Sequence, residues 1–70
     1  MTSTAFLRAI RRLASRRGWS IVEREGKGSH LIIRLNGHST TLPRHRGDLP
    51  AGTYRAILKQ LQITETELEE

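Results

Sequence analysis

The stretch SHLIIRLNGHSTTL, residues 29–42, decides the fold of this chain. Its central pair, Asn36-Gly37, is a strong signal for a two-residue β-hairpin turn, because both central residues of that turn need a positive φ. On either side of the pair stand short runs rich in β-branched and aliphatic residues, 29–35 and 38–42. We therefore predict two antiparallel strands joined by a tight turn.

The segment before this hairpin predicts a third strand. Residues 19–25 (WSIVERE) form another short run, and Gly26-Lys27-Gly28 is interpreted as the three-residue loop that follows it. That loop length would place Arg24 opposite His30. The two-residue turn on the other side would place Pro43 opposite the same histidine.

Alternation along the strands sorts the side chains into two faces. The apolar face is expected to carry Trp19, Ile21, Leu31, Ile33, Leu35 and Leu42. The other face is expected to carry Val22, Arg24, His30, Ile32, Arg34, Ser39 and Thr41. Glu23 and His38 fall on the apolar side, Glu23 near a strand end where water is within reach. A register slip of one residue would expose five large apolar side chains, so we expect His30 on the open face.

Two amphipathic helices flank the strands. Residues 3–17 and about 50–61 carry apolar side chains at helical spacing. Thr2 or Ser3 is expected to cap the first helix, and Gly18 is expected to end it. The resulting order is α-β-β-β-α, an α+β fold in which both helices pack on one face of a three-stranded antiparallel sheet.

The residues around the second helix give weaker signals. Asp48 or Leu49 is expected near its cap, with Pro50 in its first turn. Thr64 and Glu67 have the spacing of a capping box, which predicts a short final turn. A chain of 70 residues has room for one hydrophobic core, so residues 1–70 are taken as a single domain.

The charge of the chain is unevenly distributed. All 12 Lys/Arg residues, ten of them arginine, lie at or before Lys59, and residues 1–64 carry a formal +9. Arginine forks suit phosphate oxygens, so a polyanion is the expected partner, nucleic acid ahead of a membrane surface. Four glutamates fall in the last six residues. They are either a solvated end or an internal competitor for the basic surface, and the solvated end is favoured.

Composition excludes other classes of protein and site. There is no cysteine, so disulfides and thiolate metal sites are excluded. No run reaches transmembrane length, and residues 1–18 lack the apolar segment of a signal peptide, so a soluble cytoplasmic protein is expected. His30, His38 and His45 have no ligand-like spacing, and neither a metal nor another cofactor is predicted.

If the nucleic-acid partner is RNA, His30 is the candidate for chemistry on it. The 2′-hydroxyl of RNA is a nucleophile that needs only to lose its proton, and an imidazole with an ordinary pKa of about 6.5 is suited to that step. One such acid–base group typically contributes about 10²–10⁴-fold. We predict metal-independent cleavage, with His30 as base or acid.

Neighbouring residues are candidate RNA contacts, each with a structural alternative. Arg24 is expected to favour the neutral imidazole and to hold the scissile phosphate, unless it is only a surface arginine. Lys27 is a phosphate contact or a solubilising turn residue. Arg34, roughly 13 Å along the strand from His30, would suit a neighbouring phosphate.

The loops beside His30 supply further candidates. Gly28 is expected to serve turn geometry or close backbone approach, and Ser29 to cap a turn or contact RNA. Arg44 is expected to begin near the site. His45 is the candidate second acid, with the alternative that it shapes the loop.

Four motifs in order resemble the HicA toxins of bacterial HicAB toxin–antitoxin systems. They are a first helix ending in Gly18, KGSH at 27–30, LPRH at 42–45 and GTYRAILKQLQIT at 52–64. The resemblance implies a fold like that of double-stranded-RNA-binding domains and a ribosome-independent mRNA endonuclease inhibited by a HicB antitoxin. It also implies that His30 is the catalytic histidine. Gln62 stands where a glycine is common in the family.

Two main functions follow, a nuclease toxin that cuts mRNA and a non-catalytic module that holds structured RNA. A basic face serves both, whereas an imidazole on the open face is needed only by the nuclease. A weaker third option is a domain that binds an acidic protein. A HicB-like antitoxin is expected to cover the open sheet or the basic patch and to form a hetero-oligomer with the toxin.

Overall fold

The computed structural model describes residues 1–44 and 46–70. Along the chain the elements are α1 (Ser3–Arg17), β1 (Ile21–Glu25), β2 (His30–Leu35), β3 (His38–Pro43), α2 (Ala51–Leu61) and α3 (Glu65–Glu69). The predicted α+β order is confirmed, with the short final turn present as α3. The first strand begins two residues later than predicted, after Trp19 and Ser20.

Helix α1 begins and ends at the predicted residues. The hydroxyl of Thr2 accepts a 3.0 Å hydrogen bond from the backbone N–H of Ala5, and Gly18 ends the helix with a φ of 67°. The buried stripe of the helix contains Phe6, Ala9, Ile10, Leu13 and Ala14. The Ser3 hydroxyl donates a 2.6 Å hydrogen bond to the carbonyl of Pro43, which fixes the start of α1 to the end of β3.

The second hairpin has the predicted turn and register. Asn36 and Gly37 both have positive φ values, 49° and 84°. Strand β2 pairs with β3 so that Leu35 opposes His38 and His30 opposes Pro43. The Asn-Gly pair therefore specified the register correctly, because its geometry admits only one pairing of the flanking strands.

The first hairpin corrects the prediction that Arg24 opposes His30. Arg24 pairs with Ile32, two residues further along β2. Gly26 joins the ladder by donating to the His30 carbonyl at 2.9 Å, so the loop contains residues 27–29 instead of 26–28. The reason is that Gly28, with a φ of 63°, supplies the left-handed turn while Gly26 remains extended enough to pair.

A shift of two residues leaves every side chain on its predicted face. The helices cover one face of the sheet, where Leu31, Ile33, Leu35 and Leu42 are buried in the core with α1 and α2. The opposite face is open, and Val22 on it is 50% exposed. Sheet order is β1-β2-β3, so β2 is the central strand.

Two expectations about the C-terminal third are wrong. Pro50 is the N-terminal cap of α2 instead of a residue of its first turn, and it makes no side-chain capping bond because the proline ring carries no hydrogen-bond acceptor. The acidic end is not a solvated tail: Leu68 is 5% exposed, and the capping box between Thr64 and Glu67 forms α3 against α1.

Candidate active site

His30 is the first residue of β2 and lies on the open face of the sheet, with its side chain exposed. Pro43 opposes it on β3, and Gly26 lies beside it on the β1 side. The ring is therefore flanked by two residues without long side chains. This arrangement leaves the imidazole accessible to a large substrate such as a nucleic-acid strand.

One ring nitrogen of His30 faces the adjacent turn. Nδ1 lies 3.3 Å from the carbonyl oxygen of Lys27, and the backbone N–H of His30 approaches the same oxygen at 3.4 Å. A carbonyl only accepts hydrogen bonds, so this contact favours the tautomer in which Nδ1 carries the proton. Nε2 then keeps its lone pair and is the atom able to accept a proton.

The glycines of the turn shape this position. Gly28 has a φ of 63°, a conformation that other residues rarely adopt. A Cβ atom at Gly26 would lie 3.2 Å from Cγ1 of Ile32 and 3.3 Å from the His30 carbonyl oxygen. Gly26, the last ladder residue before the turn, thus packs closely against Ile32 and the His30 backbone, and Gly28 provides the left-handed residue that follows Lys27.

Arg24 and Arg34 lie on the same open face as His30. They line a shallow groove of about 230 Å³ together with Val22, Ile32 and Ser39. Neither arginine forms an ion pair with a described residue. Arg24 is diagonal to His30 across the hairpin instead of directly opposite, which corresponds to roughly 7–8 Å between Cα atoms.

The other predicted contacts are dispersed. Lys27 and Ser29 are exposed in the turn, and the Ser29 carbonyl accepts a 2.9 Å hydrogen bond from the backbone N–H of Arg44. The backbone of Arg44 is therefore next to His30, as expected. Its guanidinium instead pairs with Glu25 on the helix side of the sheet end. His45 lies outside the described residues.

The sequence interpretation missed a charged cleft behind His30. The cleft has a volume of about 470 Å³ and lies between the start of α1 and the helix-facing side of the sheet end. Arg11 and Glu23 line this cleft and form a bidentate ion pair, in which Nε of Arg11 lies 2.8 Å from Oε2 of Glu23. The hydrogen bonds from Arg11, more than its charge, lower the pKa of the Glu23 carboxyl. Glu23 lies on the helix-facing side near the strand end, as predicted, but no local sequence signal paired it with Arg11.

Glutamates near the C-terminus neutralise the arginines at the C-terminal end of α1. Arg17 pairs with Glu67 at 3.2 Å and with Glu70 at 3.0 Å, and it also lies over the Trp19 ring. Arg16 donates a 2.8 Å hydrogen bond to the Glu67 carbonyl. The hydrogen bond to Glu70 is the main cause of the raised pKa of Arg17. The arginines in this region are therefore already paired with glutamates of the same chain.

The described residues contain no cluster of three or more His, Cys, Asp or Glu side chains suited to a metal ion. Within the same residues, no helix combines the length and apolar character needed to cross a membrane.

Comparison with known proteins identifies the family. No curated protein matched the chain. The family model described as the HicA toxin of bacterial toxin–antitoxin systems matches residues 7–63, which include most of α1, all three strands and α2. The resemblance inferred from the four motifs is therefore confirmed, and this chain belongs to the HicA family of toxins of bacterial toxin–antitoxin systems.

Proposed function

We propose that this toxin is a metal-independent endoribonuclease that cuts mRNA, with His30 as its acid–base group. The observation that carries the proposal is the exposed imidazole on the open face, with Nδ1 directed at the Lys27 carbonyl and Nε2 left to exchange a proton. A module that only binds RNA has no need of that arrangement. Membership of a toxin family supports the same function.

The reaction begins with proton transfer from the ribose 2′-hydroxyl to Nε2 of His30. The 2′-oxygen then attacks the adjacent phosphorus, and the bond from phosphorus to the 5′-oxygen breaks. The departing 5′-oxygen takes a proton from solvent or from a second acid, for which His45 remains the candidate. The products are a 2′,3′-cyclic phosphate and a 5′-hydroxyl end. One acid–base group of this kind contributes about 10²–10⁴-fold.

Arginines on the open face bind the RNA backbone in this proposal. Arg24 is close enough to reach the scissile phosphate and to stabilise the charge that develops on it. Arg34, roughly 13 Å from His30 along the strand, contacts a neighbouring phosphate. Lys27, Gly28 and Ser29 bring the turn close to the same backbone. Arg44 must exchange its Glu25 partner before it binds phosphate, so its contribution is smaller.

The test is cleavage of an end-labelled transcript by purified protein in excess EDTA. Wild type should cut and leave cyclic phosphate ends, and His30→Ala should lose at least about 100-fold in rate while it still binds RNA. His38→Ala is the matched control, because it removes a histidine from the helix-facing side. Full activity of His30→Ala would refute the assignment. Salt-dependent binding without turnover by wild type would favour the non-catalytic module.

The partners follow from the same surface. The substrate is mRNA, the expected compartment is the cytoplasm, and a HicB-like antitoxin inhibits by covering the open face in a hetero-oligomer. The purified toxin–antitoxin complex should not cut the transcript, and growth arrest on toxin expression should be reversed by the co-expressed antitoxin. An antitoxin complex that leaves His30 accessible to a carbethoxylating reagent would contradict the covering of this face.

A further inference from the structure

The cleft behind His30 has apolar walls. Leu7, Leu31 and Leu42 line it, and the hydroxyl-bearing Thr4 lies at its mouth on the exposed side of α1. Its volume of about 470 Å³ is in the range of small-molecule sites, about 300–1,000 Å³. This volume is large enough for a planar organic group of nucleobase size.

The lining of the cleft carries a net positive charge. Four arginines and two glutamates line it, which leaves a formal +2. Arg11 and Arg44 are paired with the two glutamates, whereas Arg24 and Arg46 form no ion pair with a described residue. Uncompensated guanidinium groups beside an apolar cavity are complementary to a nucleotide, which joins an anionic phosphate to a flat base.

The cleft and the groove on the open face share one lining residue. Arg24 lines both the cleft and the groove that contains Arg34. His30 lies at the same end of the sheet, one residue before Leu31 in β2, and alternation sends these two side chains to opposite faces. A single RNA strand that passes around this end of the sheet would present one nucleotide to His30 and a neighbouring one to the cleft.

We propose that the cleft is a base-selecting subsite that receives the base of a nucleotide next to the scissile phosphate. The proposal rests on the RNA-cleaving function proposed above and adds its specificity determinant. Glu23 and Glu25, oriented by Arg11 and Arg44, present carboxylate oxygens that accept hydrogen bonds from amino groups. Bases that carry an exocyclic amino group are therefore preferred over uracil.

The test blocks the cleft without touching its floor or His30. Thr4→Trp places an indole at the mouth from an exposed helical position, and Ser15→Trp makes the same change at an exposed α1 position that does not line the cleft. Cleavage sites are mapped on a randomised transcript for wild type and both variants. Wild type and Ser15→Trp should discriminate against uracil at one fixed offset from the cut by about 10-fold, which is about 1.4 kcal/mol and within the range of one good base contact. Thr4→Trp should lose that discrimination and still cut.

A binding measurement separates this inference from the proposed catalysis. Wild type should bind oligo(C) more tightly than oligo(U) at equal salt, and Thr4→Trp should equalise the two affinities. That result would support the subsite even if no protein cleaved RNA, in which case only the catalytic proposal fails. Unchanged base discrimination in Thr4→Trp would overturn the subsite. Unchanged discrimination combined with escape from antitoxin inhibition would assign the cleft to a protein partner instead.

Discussion

The open sheet face and the far end of helix α1 are both rich in arginine, but only one of them is available to a ligand. On the open face, Arg24 and Arg34 form no ion pair with a described residue. At the end of α1, Arg16 and Arg17 contact the acidic helix α3. A count of basic residues therefore overestimates the surface that is available to bind RNA, because the chain neutralises part of its own charge.

The largest expected effect is on RNA affinity when the open face loses its charge. Arg24→Gln/Arg34→Gln should weaken binding by roughly 100-fold, at about 1.5 kcal/mol for each hydrogen-bonded charge. The slope of log affinity against log salt should also become shallower by about 1.4, because each of the two lost phosphate contacts contributes about 0.7 on a single strand. Fluorescence anisotropy with a short single-stranded RNA over a range of salt measures both quantities.

Arg16→Gln/Arg17→Gln is the matched control, because it removes the same charge from the neutralised end. At about 0.15 M salt, where charges interact over about 8 Å, its RNA affinity should remain within about twofold of wild type. Equal losses in the two double variants would show that RNA responds to net charge alone, and the distinction between the regions would then be lost.

A second prediction concerns the anchor of the acidic helix. Leu68 is buried at 5% exposure and holds α3 beside α1. Leu68→Ala should lower the free energy of unfolding by about 2 kcal/mol, the low end for a buried leucine, because a terminal helix is able to detach locally. Release of α3 should also free Arg16 and Arg17 and raise RNA affinity. Urea denaturation and anisotropy test the two effects, with Leu68→Met as the conservative control. A stable variant with unchanged affinity would refute the anchoring role.

A third prediction uses the junction between α2 and α3. Gln62 ends α2 with a φ of 56°, the left-handed region that favours glycine. Gln62→Gly should therefore stabilise the fold by about 0.5–1 kcal/mol, since relief of the steric strain exceeds the entropy that glycine adds to the unfolded chain. Lys59→Gly, within the helix, should destabilise it by about 1 kcal/mol. Loss of stability in Gln62→Gly would contradict this account.

The parts of the fold that sequence predicted correctly depend on local geometry. Asn36-Gly37 determined the pairing of β2 with β3, and Thr2 with Gly18 determined both ends of α1. The first hairpin was displaced by two residues, because Gly26 and Gly28 are equivalent in sequence and only one adopts a positive φ. A two-residue error preserves alternation, so the placement of His30 on the open face remained correct.

The parts that sequence did not predict depend on contacts between distant elements. The ion pairs of Arg11 with Glu23 and of Arg44 with Glu25 join residues 12 and 19 positions apart. The charged cleft arises from these pairs and from the packing of α1 against the sheet end. Charge patterning showed that glutamates cluster at the C-terminus, but only the docking of α3 determined which arginines they neutralise.

The smallest expected effect comes from the ion pair that joins α1 to β1 on the helix side. Arg11 lowers the pKa of Glu23, so this carboxylate stabilises the fold above its unfolded pKa of about 4.3, and the contribution is lost as pH falls through the folded pKa. Glu23→Gln should be slightly less stable than wild type at pH 7, and the difference should be smaller at about pH 3. Urea midpoints at both pH values measure the difference, which is small because exposed partners contribute little. Glu69→Gln is the control, because it removes the same charge from a glutamate outside the ion pairs of the described residues. Its difference in stability from wild type should not depend on pH in this way. A Glu23→Gln deficit that persists at low pH would mean that the side chain acts through packing instead of charge.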